Sequence, residues 1–333
     1  MQTMRGLFAR AGLSLALALA AGLAALSAAP AQDAYPSRPI RVIVAFPPGG
    51  SSDVVARTVQ PRLAELLGQP IVIENKPGAG GNIGVDVVVK SPPDGYTIGL
   101  AAAGALTVNP SLMPNMPFDP LKDVTPITGL AATPFILAAA TGFAPRDVKE
   151  LIALAKRGPN AVSIGHGGNG TAMHLTAELF KNRAGVPLEM VPYRGSGPVT
   201  VDVMAGHIPL GITDMPSALS LIRDGKVRAL AVSSLTRVEQ MPDTPTLAES
   251  GLPGFEAVGW FGIVGPAGLP PAIVAKLNAA FVAVLREPEV RERIVAVGAV
   301  PMPMTPEAFK AFMISETAKW SELIKAAGLK AAN

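Results

Sequence analysis

The 333-residue sequence contains no cysteine. Disulfides, zinc ribbons, thiolate-held iron–sulfur clusters and a cysteine nucleophile are therefore excluded. Histidine is nearly absent too, occurring three times, as His166, His174 and His207. No H-E-x-x-H pair places two of them on one helix face, so no metal centre is expected. Charged residues make up 16% and aromatic residues 5%, whereas hydrophobic residues reach 49%. A chain so apolar can offset the entropy of ordering, which excludes a disordered, solvating polymer. Catalytic patterns are also missing. There is no G-x-S-x-G elbow, since Gly195-Ser196-Gly197 lacks the spacing, and nothing pairs Asp53 with Asp214 as acid and base. A non-catalytic protein without cofactor or metal is expected. What the chain has in quantity is glycine (34) and proline (33), proline being about twice its usual share, so many turns are pre-set. At about 150 residues per domain the length suggests two domains.

The N-terminus reads as an address. Residues 1–31 carry Arg5 and Arg10, no acidic residue, an apolar run from Ala11 to Leu26, and a small-residue Ala29-x-Ala31 site. This is the layout of a secretory signal peptide cleaved near Ala31, and the run is short for a membrane span. Export to the periplasm follows. Without the leader, 26 basic residues face 25 acidic ones, far from the basic stripe a nucleic-acid binder needs.

From Ile40 onward, short apolar strands alternate with helical stretches through loops rich in glycine and proline, which predicts an α/β fold with parallel sheets covered on both faces. A second unit opens near Thr133. The chain ends in three helices, Pro270–Arg286, Pro288–Val297 and Thr305–Ala327, which lack a sheet of their own and are expected to pack back on the first unit. The domains are then 32–132 plus 258–333, and 133–257. Crossings near Leu130–Thr133 and Phe255–Trp260 would form a hinge.

One device occurs twice. Val44-Ala45-Phe46-Pro47-Pro48-Gly49-Gly50-Ser51-Ser52-Asp53 is a strand, a glycine turn and a helix start bearing hydroxyls. Ile164-Gly165-His166-Gly167-Gly168-Asn169-Gly170-Thr171 repeats the plan. Glycines let the backbone approach a ligand closely, and a helix N-terminus presents unpaired N–H groups and about half a positive charge. Such a turn is an anion cradle that needs no lysine or arginine. Ser51, Ser52 and Thr171 could equally serve as helix caps. Gly165-x-Gly167-x-x-Gly170, with Glu189 downstream, also fits a dinucleotide fingerprint. An NAD(P)-dependent enzyme therefore stands as a lesser alternative, opposed by export and by the unexplained first loop.

Further runs carry a resemblance. Tyr35-Pro36, the first glycine loop, Glu74-Asn75-Lys76-Pro77-Gly78-Ala79-Gly80-Gly81-Asn82, Pro93-Asp94-Gly95-Tyr96-Thr97, Gly165–His174, Val191-Pro192-Tyr193-Arg194-Gly195, Lys226–Val232 and Pro253-Gly254-Phe255-Glu256 come in this order. The chain resembles the Bug family, the substrate-binding proteins of tripartite tricarboxylate transporters. That resemblance implies a two-domain, type II periplasmic-binding-protein-like α/β fold with a hinge and an interdomain cleft. It also implies capture of a small carboxylate for delivery to membrane permease subunits, by a protein expected to be a monomer. A sensory adaptor presenting the same ligand to a membrane receptor is the alternative. Carried onto this sequence, the family pattern assigns Pro48, Gly49, Gly50, Ser51 and Ser52 to one jaw. It assigns His166, Gly168, Asn169, Gly170 and Thr171 to the other. Phe46 and Tyr193 would shape an apolar middle, and Arg194 or Asp214 would tune the ligand's far end. Asn169 replaces a proline common in relatives, and Ala105 replaces a serine or threonine, which disfavours highly polar ligands.

Overall fold

A computed structural model describes residues 35–113, 115–159, 161–326 and 328–329. The leader, residues 1–31, lies outside the described residues. The chain divides into Met1–Ser37 and a compact unit, Arg38–Asn333. Among the described residues no helix is long and apolar enough to cross a membrane.

The unit begins as strand–helix alternation: β1 (Ile40–Val44), α1 (Ser51–Leu67), β2 (Ile71–Asn75), α2 (Asn82–Val89) and β3 (Thr97–Ala102). α1 shows how the sequence places its elements. Asp53 sits in its first turn, where a carboxylate suits the helix dipole, and Val55, Val59, Leu63 and Leu67 form its buried stripe. It ends at Gly68, which takes the left-handed conformation and donates its N–H to Glu65 O. β1 lies between β2 and β3, parallel to both. A π-helical turn, Gly104–Val108, then leads into the short α3 (Asn109–Leu112).

The longest strand is β4 (Val124–Ala140), 17 residues. After it come α4 (Val148–Ala155), β5 (Ser163–His166), α5 (Ala172–Ala184), β6 (Glu189–Pro192), α6 (Ser196–Ala205), β7 (Leu210–Asp214), α7 (Met215–Arg223) and β8 (Val227–Val232). The chain returns through β9 (Val258–Pro266) and ends with α8 (Pro271–Arg286), α9 (Pro288–Ala296), β10 (Val300–Pro301) and α10 (Pro306–Ala326). The strands join in a ten-stranded sheet whose main path runs β2-β1-β3-β9-β4-β7-β5-β6.

Two expectations need correcting. The sheet is mixed: β9 runs antiparallel to both β3 and β4, and β4 runs antiparallel to β7 and β8. β4 is also far longer than the Phe135–Ala139 strand that apolar patterning predicts. Its first part, which contains Pro126 and Gly129 and to which the sequence reading gave no strand, stays in the ladder through two register shifts, at Pro126/Thr128 and Gly129/Ala131. Such bulges accommodate residues that a regular strand rejects. The Leu130–Thr133 crossing is therefore strand, paired directly with the start of β9 through Ala132↔Trp260 and Thr133↔Gly259. The terminal helices pack on earlier elements: α8 against α1 and β4, and α10 against β4 and the 104–112 segment. β10 pairs with β4 at Val300↔Ala132.

Candidate functional site

The two glycine loops meet at one cavity. About 540 Å³ of empty space, including its open mouth, is lined from β1 and α1 by Phe46, Pro47, Gly50, Ser51 and Ser52. From α5 it is lined by Thr171, Ala172 and Met173. A third helix start, Gly195-Ser196-Gly197-Pro198 of α6, closes the wall beside Asp214, and the crossing strands add Thr133, Phe135, Trp260 and Phe261. The π-helical turn at Gly104 approaches the second loop so closely that a side chain there would collide. A Cβ on Gly104 would stand 2.8 Å from Gly170 O and 3.1 Å from Thr171 Cα. Gly170 itself has φ +78°, a conformation that L side chains rarely adopt.

Three helices thus begin at the cavity, and their first N–H groups cannot bond within the helix. Among the described residues, the N–H groups of Ser51, Ser52, Ala172, Met173, Ser196 and Gly197 find no acceptor. Two hydroxyls are in the same state, since Ser52 Oγ and Thr133 Oγ1 are buried without a partner. Orphaned donors gathered around one empty space are what an anion would satisfy. No lysine, arginine or histidine lines this cavity.

The other polar groups are already engaged. Gly50, not a serine, caps α1, and it does so without a side-chain bond. Ser51 Oγ instead donates to Asp214 and lies 2.9 Å from Ser217 Oγ. Ser196 Oγ accepts from the Asp214 N–H at 3.0 Å and shares a 2.6 Å hydrogen bond with Thr213. Burial pushes the Asp214 carboxyl up from its ordinary range, against the opposing pull of the Ser51, Ser196 and Ser217 hydroxyls. Thr171 is a true cap: its hydroxyl accepts from the His174 N–H at 3.1 Å and donates to Gly168 O at 2.7 Å.

Asp53 braces the first loop from behind. Its carboxylate accepts from the Gly49 N–H at 3.0 Å, Arg57 Nε at 2.9 Å and Asn75 Nδ2 at 3.0 Å. Burial alone would raise its pKa, but those donors hold it below the ordinary value. His166 does the same for the second loop. Fully buried, it accepts the Gly168 N–H at Nδ1 (3.3 Å), its ring centroid lies 4.6 Å from that of His174, and its Nε2 has no partner. Burial, with His174 beside it, pushes the His166 imidazole down to about 3.

Of the residues singled out in the sequence, Phe46, Gly50, Ser51, Ser52, Thr171 and Asp214 line this cavity. Gly168, Asn169, Tyr193 and Arg194 instead border a second, open space on the other side of Phe46, about 700 Å³ in extent. Tyr193 Oη donates to Asp202 at 2.8 Å, and burial together with that carboxylate pushes the phenol up to about 12. Arg194 is exposed, and its side chain has no partner among the described residues. Pro48, Gly49, Ala105, His166 and Gly170 line neither space. Ala105 is fully buried, facing Gly81. The sequence reading missed the α6 start, although Gly195-Ser196-Gly197 is a further glycine–hydroxyl turn ahead of a helix. It also missed Thr133, Phe135, Trp260 and Phe261, whose approach depends on the β4–β9 pairing.

Comparison with known proteins gives this geometry a relationship. Residues 55–329 match the Tripartite tricarboxylate transporter family receptor. Protein BugT of Bordetella pertussis is 40% identical over 308 residues, covering 92% of this chain and 94% of its own. Among solved structures, the periplasmic binding protein BugD is 36% identical at a TM-score of 0.86, covering 90% of this chain and 100% of its own. The R. palustris protein Rpa4515, solved with adipate, is 34% identical at a TM-score of 0.87, with coverage of 90% and 100%. The fold is accordingly the two-lobed α/β fold of periplasmic binding proteins, and the likeness is to receptors, not enzymes. By the match along its length and the agreement in fold, this chain belongs to the tripartite tricarboxylate transporter receptor family.

Proposed function

We propose that the chain is a periplasmic receptor that captures a small carboxylate in the cavity at the three helix starts and presents it to a membrane transporter. The observation that carries this reading is the set of unpaired N–H groups and the Ser52 and Thr133 hydroxyls around one space. A carboxylate accepts about four hydrogen bonds, and charge-assisted bonds are roughly twice as strong as neutral ones. Neutral amides can hold an anion here because the mostly apolar lining lowers the local dielectric and strengthens each bond. The adipate held by Rpa4515 supports a carboxylate as cargo.

In this reading residues 1–31 are removed on export, 32–132 with 258–333 form one lobe, and 133–257 form the other. Gly50, Ser51 and Ser52 meet the ligand from the first lobe, and Thr171 with Asp214 from the second. Gly168, Asn169, Tyr193 and Arg194 stand at the outer space, while Pro48, Gly49, Ala105, His166 and Gly170 shape the loops. Handover goes to permease subunits in the membrane. The test is a thermal-shift panel of mono-, di- and tricarboxylates, since a ligand stabilises the folded state by mass action. A shift with at least one acid is expected. Silence across acids, with shifts for sugars or cations, overturns the reading. Co-purification of permease subunits from membranes, in the presence of the active acid, tests the handover.

A further inference from the structure

Phe135, Trp260 and Phe261 form an apolar wall of the cavity, and of these Trp260 alone carries a polar side-chain atom. A buried indole N–H needs an acceptor, and where that acceptor stands decides which part of the ring a ligand meets. Trp260 is 2% exposed, and its Nε1–H donates to Glu316 Oε2 at 3.1 Å. Glu316 belongs to α10 and does not line the cavity. The donor is therefore committed behind the wall.

Glu316 is itself buried, and the same Oε2 accepts the Trp320 Nε1–H, also at 3.1 Å. Its other oxygen lies 3.6 Å from Lys319 Nζ, an ammonium that stands 3.7 Å from Glu256, just ahead of β9. Two indole donors and a cation compensate a carboxylate taken out of water. α10 grips the Trp260 ring as well: Phe309 and Phe312 meet it edge-on, with centroids 5.7 Å and 5.1 Å away. β9 lies hard against this helix at Gly262, where a Cβ would stand 2.1 Å from the Phe309 ring. In the β4–β9 ladder Trp260 pairs with Ala132, and next to it Gly259 pairs with Thr133, a cavity residue whose hydroxyl is unpartnered.

Resting on the carboxylate reading above, we propose that Glu316 is a positioning residue of the ligand site, acting through Trp260. Its carboxylate fixes the indole against α10 with the N–H turned from the ligand, so the wall is formed before a ligand arrives. A wall already in place removes the ordering that binding would otherwise have to impose. Trp320 uses the same oxygen without lining the cavity, so it shares the bond and not the role.

The experiment compares Glu316→Leu, Glu316→Gln and Trp320→Phe with wild type, by calorimetry with adipate and benzoate and by urea melts. Glu316→Leu strands the Trp260 N–H and is expected to bind about tenfold more weakly, the effect of one buried donor left unpaired. Glu316→Gln keeps an oxygen with two lone pairs for both indoles and should stay within about threefold of wild type. Trp320→Phe should lose stability yet keep its affinity within the same range. A folded Glu316→Leu with wild-type affinity overturns the proposal. So does Glu316→Gln or Trp320→Phe binding as weakly as Glu316→Leu. Should the leucine variant not fold, Glu316→Asp replaces it, keeping the charge beside Lys319 and ending one methylene short of the indoles. It is expected to bind about threefold or more weakly, and wild-type affinity there overturns the proposal.

A second readout needs no acid. In a Trp320→Phe background Trp260 is the only tryptophan left, and its quenching by acrylamide reports how firmly the ring is held. Glu316→Leu (or Glu316→Asp) should about double that quenching, and Glu316→Gln should leave it unchanged. Equal quenching throughout overturns the positioning of Trp260. Wild type silent toward every acid, with the doubling present, removes the carboxylate reading and leaves the positioning standing.

Discussion

The hydroxyl of Ser51, on the first residue of α1, donates to the carboxyl of Asp214, the last residue of β7. The two residues are 163 positions apart in the chain. Their bond joins the first helix start to a carboxyl supplied by the opposite half of the sheet, and it separates two serines that look equivalent in sequence. Ser51 is a structural donor, whereas Ser52 is buried with an unused hydroxyl.

The two serines should therefore fail differently. Ser51→Ala takes a donor from a buried carboxyl and is expected to cost about 1–3 kcal/mol of stability. Ser52→Ala should leave stability within about 0.5 kcal/mol and weaken carboxylate binding by about 1 kcal/mol, one hydrogen bond. Urea melts beside calorimetry separate the two, and the reverse pattern would show that the assignment of the serines is exchanged.

Glycine substitutions should divide in the same way. Gly170 has φ +78°, and a Cβ there would run into the Asn109 side-chain oxygen. Gly170→Val is expected to lose about 1–3 kcal/mol to backbone strain before any steric cost. Gly50 has φ −76° and ψ 167°, an ordinary extended conformation, and its nearest obstacle is Pro47 O at 3.3 Å. Gly50→Val should fold and still abolish binding by filling the cavity. A Gly50→Val protein with wild-type affinity would remove the loop from the site.

Acid should weaken the fold through the second loop. His166 is held neutral down to about 3, and burial lowers His174 as well. The unfolded chain binds these protons below its ordinary value of 6.5, so their stabilisation is complete above that pH and is lost as pH falls, for His166 toward 3. Each group contributes a slope of up to about 1.4 kcal/mol per pH unit in that window. Chemical denaturation between pH 7.5 and 4.5 should show a smaller slope in His166→Leu than in wild type, and equal slopes would place the acid sensitivity elsewhere.

The two tryptophans should report differently. Trp260 faces the cavity and Trp320 does not, although both donate to Glu316 at 3.1 Å. In Trp320→Phe a saturating carboxylate is expected to change the emission of the remaining tryptophan. In Trp260→Phe it should not. A response confined to Trp320 would mean that the ligand sits outside this cavity.

Much of this was legible in the sequence because the first and second glycine loops each follow an apolar strand and precede a helix of clear periodicity. Asp53 and Thr171 could be read as loop brace and cap from their positions in the first turns, and the structure gives them those bonds. The α6 start was harder, since Gly195, Gly197 and Pro198 weaken the helical pattern, which becomes regular only from Val199. The apolar wall could not be read at all from local pattern. Phe135 and Trp260 are 125 residues apart, and only the antiparallel register of β4 and β9 brings them to one surface. Proline and glycine in the first part of β4 disguised that register, and the bulges that absorb them depend on partners distant in the chain.

The continuity of β4 also limits how the protein can be divided. Its first part is laddered to β9, its last part to β7 and β8, and no loop intervenes at Thr133. A cut there would leave both fragments with a raw edge of unpaired peptide groups, the kind that recruits other chains. The halves of this receptor are accordingly inseparable as folding units, and a fusion, permutation or reporter insertion belongs in the surface turns, never in the shared strand.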